Sequence, residues 1–259
     1  MTITKPFPRT YRMFLDGTYS SGGEDRYVSH PMFAIDPIQH IRAFELIQKD
    51  IIELFDYIEP ADSNETCYSY RIHSLLLRLC IEFEDNAKAI LYENGFDKRD
   101  KSGKPIRLNI FDYKKIESTH FLSLFEIRLP FWSGNNGDRY PFLDWKNGKN
   151  SLGWYEAYNN TKHDRRQKFT HANFGHLIDA YCGLLVLLTS QFGRNDFIPR
   201  VVMLALEGST DGFENPIGDY LRIKFPKSIP MNDRYDFNWT DIENDDDPFD
   251  RIDYSKVTG

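Results

Sequence analysis

Positions 158 to 171 read YNNTKHDRRQKFTH, a stretch in which donors and proton carriers crowd together. His163 and His171 carry the side chain that takes and gives a proton near neutrality. Lys162, Arg165, Arg166 and Lys168 are cations that can hold a phosphate and stabilise charge developing on it. Together these are the requirements of metal-independent RNA cleavage: a group to deprotonate the 2′-hydroxyl and cations for the phosphorane. On a continuous helix His163 and Gln167 fall one turn apart, as do Lys162 and Arg166. The same residues also suit the solvated face of a helix start, with Asp164 and Lys168 as an i,i+4 pair and Trp154, Tyr155 and Tyr158 packing inward.

The elements that must carry this stretch are helical. Ile41, Phe44, Ile47, Ile51, Leu54, Phe55 and Ile58 recur at three- and four-residue steps, and Pro60 stops the pattern. Ile72, Leu75, Leu76, Leu79, Cys80, Phe83, Ala87, Ile90 and Leu91 form a second stripe of about 28 residues, closed by Asn94-Gly95. A third helix is expected from Ser151 as N-cap to Arg166, and a stripe from Phe174 to Phe192 is the strongest in the chain. Whether 151–192 is one helix or two is open. Between helices, IRLNIF and HFLSLFEIRLPFW read as extended or mixed structure, and DYLRIKFP is a strand candidate near the end.

The expected fold is therefore mainly α, an antiparallel helical bundle with a small β-containing insertion and irregular termini. Residues 1–37 are an irregular lead-in, 38–192 the bundle with a β-rich insertion around 104–145, and 193–259 a C-terminal extension with an acidic tail. At 259 residues the chain is long enough to bury a core without staples. Cys67, Cys80 and Cys182 are widely spaced with no zinc pattern, so a reducing, cytoplasmic compartment is expected. No stretch approaches the roughly 18 apolar residues of a membrane span, so no membrane partner is expected.

A net charge of −7 argues against a surface built throughout for polyanions and leaves room for a local basic patch. DIENDDDPFD, residues 241–250, is either a solvated terminus or a shield for the basic stretch. Glu82 and Glu84 could orient His163 or hold a metal, and Glu84 with Lys88 equally makes an ordinary helix pair. The Glu-x-x-His motifs of a bundle metal centre are missing, so neither metal nor cofactor is expected. His73 falls among core-facing positions and reads as a core or edge histidine.

YSYRIHSLLLRLCIEFEDNAKAIL and WYEAYNNTKHDRRQKFTHANFGHLIDAYCGLLVLL resemble the long core helices of HEPN-type bundles, which include RNA-cleaving toxins, antiviral effectors and non-catalytic relatives. The likeness covers about a third of the chain. HEPN nucleases share an Arg, usually followed by a polar residue, and a His four to six residues after that Arg. In one placement, Tyr158 to His163, Asn159 and His163 match while Tyr158 stands where the Arg belongs. In the other, Arg166 or Arg165 leads to His171. The resemblance implies a degenerate or non-catalytic binding or scaffold member of a defence or toxin-type system. Its alternative is a metal-independent endoribonuclease with His163 as acid/base, Asn159 orienting it, Arg165 or Arg166 on the phosphate, and Tyr158, Lys162, Lys168 and His171 in binding. RNA or a protein is the implied partner, with the site shared across a two-fold homodimer.

Overall fold

The computed structural model describes residues 2–195, 197 and 211–258. The remainder of the expected C-terminal extension lies outside them. Four long helices carry the molecule: α1 (Pro37–Phe55), α2 (Tyr70–Glu93), α3 (Gly153–His163) and α4 (Phe174–Phe192). Contacts along their lengths fix the directions. Asp50 of α1 faces Arg71 and Arg78 near the start of α2, and His40 faces Asp85 further along, so α1 and α2 are antiparallel. Tyr155 near the start of α3 reaches Glu84, Asn173 before α4 bridges Tyr68 before α2, and Gln191 reaches Asn86. The order is thus down, up, down, up, as the apolar stripes predict for an antiparallel bundle.

Each helix forms for a local reason. Ser69 caps α2 by accepting from Ile72 N at 3.2 Å, and α2 ends at Glu93, nearer 24 residues than the expected 28. In α4 nearly every side chain is buried, as for a helix that other elements surround. Gly183 on α4 lies under Trp154 of α3: a Cβ there would stand 2.9 Å from Trp154 Cζ2. Its lack of a side chain is what brings α3 close. The third helix departs from expectation. Leu152, not Ser151, is its N-cap, and the helix stops at His163 because Asp164, at φ −141° and ψ 63°, leaves the helical region. Asp164 Oδ1 then accepts from Gln167 N at 3.3 Å and starts a one-turn helix, Arg165–Lys168. Asp164 acts as a cap, and residues 151–192 form separate helices.

The insertion contributes β1 (Glu126–Arg128) and β2 (Asp138–Arg139), and the expected strand DYLRIKFP supplies β3 (Arg222–Lys224). They form an antiparallel sheet in the order β2-β1-β3, with Ile127 opposite both Arg139 and Ile223. IRLNIF is not extended: Asn109 and Asp112 form a reciprocal capping box that starts a helical turn at Ile110. Arg139 ties the sheet to the bundle, donating to Glu65 at 2.6 Å and Asp179 at 3.2 Å over the Trp132 ring.

One hydrophobic cluster runs from Phe14 to Tyr254. Residues 1–37 enter it through Phe14, Tyr27, Val28 and Phe33, while Arg9, 1% exposed, donates to Glu93, Gln191 and the Ile35 carbonyl. The acidic segment is anchored as well. Ile252 N donates to Asn94, just past the end of α2, and Lys5 pairs with Asp245. With α2 about 36 Å long, the tail sits at the opposite end of that helix from Tyr70, and it cannot shield residues 162–168.

His120 is buried, bonded to the Arg9 carbonyl at 2.9 Å, and burial pushes its pKa down to about 3. The unfolded chain therefore binds a proton below about pH 6.5 that the native state refuses, so stability falls as pH drops through that range. His120→Gln is expected to melt lower at neutral pH and to lose less on acidification than the wild type, as read by thermal unfolding from about pH 7 to pH 4. Gly183→Val is expected to cost about 1–3 kcal/mol in denaturant unfolding through overpacking against Trp154.

Candidate functional site

Two helix starts and one helix end meet at the lower end of the bundle. α2 begins there with Tyr70, α4 begins there behind Asn173, and α3 ends there with Lys162 and His163. Helix starts carry partial positive charge and helix ends favour cations. Asn173 caps α4 by accepting from His176 N at 2.9 Å. The break at Asp164 turns the chain across this end, so Arg165 to Phe169 lie against the start of α2 and no longer continue the polar face of α3.

That turn builds an open cleft of about 390 Å³ lined by Tyr70, Arg165, Arg166 and Phe169. Tyr70 is 68% exposed and Tyr68 50% exposed. Phe169 packs on both, with ring centroids 4.8 Å from Tyr70 and 5.5 Å from Tyr68. The Arg165 guanidinium stands 5.5 Å over the Tyr70 ring, a stacked placement that leaves its N–H edge available. Lys162, His163, Gln167 and Lys168 are exposed around the cleft.

Beneath it lies His73, one turn after Tyr70 on α2 and only 6% exposed. Its ring meets the edge of Phe169 at 5.8 Å. Burial lowers its pKa, and Arg165 lowers it further, against the raising effect of the Thr161 carbonyl. Nε2 of His73 is buried and has no hydrogen-bond partner among the described residues.

Deeper still, between α2 and α3, Glu84 accepts from the Tyr155 hydroxyl at 2.9 Å and is faced by Lys88 at 3.5 Å and Arg107 at 3.6 Å. The helix pair with Lys88 is present, and among the described residues no group of three or more His, Cys, Asp or Glu side chains is placed to hold a metal. Tyr158 is 1% exposed; its hydroxyl accepts from Lys162 Nζ at 2.8 Å and also addresses Glu84. Burial and the Glu84 charge raise the pKa of both phenols, so they remain neutral donors.

His163 is exposed, and no hydrogen bond joins it to Asn159, Arg165 or Arg166 among the described residues. Tyr158, at the position where the HEPN pattern has Arg, points into the Glu84 network. Asn160, not Asn159, meets a histidine: its Nδ2 lies 3.4 Å from His171 Nδ1. His171 is fixed further by its carbonyl, which accepts from His176 Nδ1 at 2.8 Å. Arg166 lines the cleft while His171 is turned toward Asn160. Sequence reasoning missed Tyr68 and Tyr70, which stand about 90 positions before the basic stretch in the chain.

A larger cavity, about 530 Å³, opens beside Tyr11, Tyr19 and Phe225. Its wall includes Arg194, Asn195 and Gly212.

Removing the Glu84 carboxylate strands the Tyr155 and Tyr158 donors. Glu84→Leu is expected to destabilise the fold by about 1–3 kcal/mol in urea unfolding. A double variant, Glu84→Leu with Tyr155→Phe, recovers part of that loss, because a removed donor no longer needs an acceptor.

The chain matches no family model, and neither a curated protein nor a solved structure matches it.

Proposed function

We propose that this chain is a HEPN-like helical bundle that binds single-stranded RNA at the lower end of the bundle without cutting it. The observation that carries the reading is the cleft formed by two arginines and two aromatic rings, Arg165 and Arg166 with Tyr70 and Phe169. Unpaired bases offer a π-face to exposed aromatic side chains, and phosphates between them need cations at short range. Tyr68 and Tyr70 supply exposed rings, and Lys162 and Lys168 extend the positive edge. The acidic tail stands at the far end of α2, so the net charge of −7 does not oppose a strand held here.

The non-catalytic part of the reading is supported by the placement of Tyr158 and His163. A buried tyrosine bonded to Lys162 cannot stand in for an arginine on a phosphate, and an exposed histidine without an orienting partner lacks the geometry of an acid/base group. A place in a defence or toxin-type system, and a homodimer, rest on the family resemblance alone.

Fluorescence anisotropy with labelled single-stranded RNA, in chelator and over a salt series, tests the reading. The wild type is expected to bind with an affinity that falls as salt rises, and the RNA is expected to run at full length on a gel afterwards. Removing Arg165 or Arg166 lowers the slope of log affinity against log salt by about 0.7 each. Tyr70→Ala costs about 1–3 kcal/mol, and His163→Ala changes affinity little. Wild-type protein that shows no salt-dependent binding would sink the proposal. Chelator-resistant cleavage lost in His163→Ala would move the assignment to the endoribonuclease.

A further inference from the structure

His73 sits at this end in a position that is costly to the free protein. Its imidazole is buried, and Nε2 has no partner among the described residues. A buried polar atom left unpaired destabilises the state that holds it. The Thr161 carbonyl of α3 acts on the ring, and the tautomer with its proton on Nδ1 leaves Nε2 without one. An Nδ1–H directed at a carbonyl fixes the tautomer in which Nε2 is a bare acceptor.

The surroundings hold that state. Arg165, from the turn, is the charged group that acts on the ring, with the Thr161 carbonyl of α3, and Phe169 packs edge-on against it. A cation beside a buried imidazole favours the neutral form. Phe169 is what closes the ring off from the cleft, and it belongs to a short 3-10 turn, Phe169–His171, set between the one-turn helix and α4.

We infer that His73 Nε2 is a covered acceptor for a hydrogen-bond donor of the bound strand, a ribose 2′-hydroxyl or a base N–H, exposed when the strand displaces Phe169. This rests on the RNA-binding reading and deepens it. The arginines and tyrosines hold phosphate and base faces without regard to sequence, whereas an acceptor beneath the cleft answers to one donor. The 2′-hydroxyl would let the site tell RNA from DNA, and a base N–H would give it a preference among bases.

Anisotropy titrations with wild type, His73→Leu and His73→Gln separate these outcomes, using oligo(A), oligo(C) and oligo(U) as RNA and the matching DNA strands. His73→Leu is expected to bind about tenfold more weakly, with the salt slope unchanged because no phosphate contact is lost. Its melting temperature stays level or rises, since the unpaired atom is gone. His73→Gln, which places an acceptor near Nε2, recovers binding. Loss confined to RNA identifies the sugar as donor, and loss that follows base identity in both RNA and DNA identifies the base. Because the neutral ring is the acceptor, the difference between wild type and His73→Leu shrinks only when pH falls through the His73 value, which burial and Arg165 hold below the ordinary imidazole range. Salt-dependent binding that is equal in wild type and His73→Leu overturns this inference and leaves the RNA-binding reading intact. So does a wild-type advantage that grows on acidification, or a His73→Leu protein that melts well below wild type. No binding by wild type removes both.

Discussion

A carboxylate enclosed between two helices dictates how those helices face each other. Glu84 sits on α2 where only 7% of it reaches solvent, and a buried carboxylate is tolerable only with donors and cations around it. Tyr155 and Tyr158 supply the hydroxyls, and Lys88 and Arg107 the charge. Satisfying Glu84 therefore sets the rotation of α3: its tyrosines turn inward, and Lys162, after bonding to Tyr158, marks the edge where the helix becomes wet. Tyr158 becomes part of the interior by the same constraint.

From that rotation the lower end follows. α3 ends at His163 because Asp164 is better used as a cap than as a helical residue, and the chain then crosses toward the start of α2. The crossing puts Arg165 over Tyr70 and Phe169 over His73. Gly183 lets α3 approach α4 closely, and Arg139 holds the small sheet against the start of α4 through Asp179. The basic stretch 162–168 lies at one end of α2 and the acidic tail is anchored at the other.

The helices were legible because each has one stripe repeating at helical steps, the strongest from Phe174 to Phe192; that α4 is buried on nearly every side came from the packing. The sheet was only half legible. DYLRIKFP alternates as a strand should, but its partner lies about 95 positions earlier, and pairing across such a distance leaves no local trace. IRLNIF was read as extended or mixed because its β-branched and aromatic residues partly alternate, although Asn109 followed three residues later by Asp112 is a helix-start signature. At the site, the cations were visible as a run. The aromatic half was not, since Tyr68 and Tyr70 flank an ordinary serine cap and become a platform only once Phe169 is folded onto them. His73 was recognisable as a core histidine, but its unpaired nitrogen is a property of packing that no spacing encodes.

The proposed function requires single-stranded RNA to lie across the lower end of the bundle. Photocrosslinking with 5-bromouridine-substituted single-stranded RNA, followed by mass mapping of the attached peptides, locates the strand directly. Crosslinks on the peptides carrying Tyr68, Tyr70 and Phe169, competed away by unlabelled RNA and by raised salt, are the predicted result. Crosslinks concentrated elsewhere on the chain, or attachment that unlabelled RNA does not compete, would contradict it.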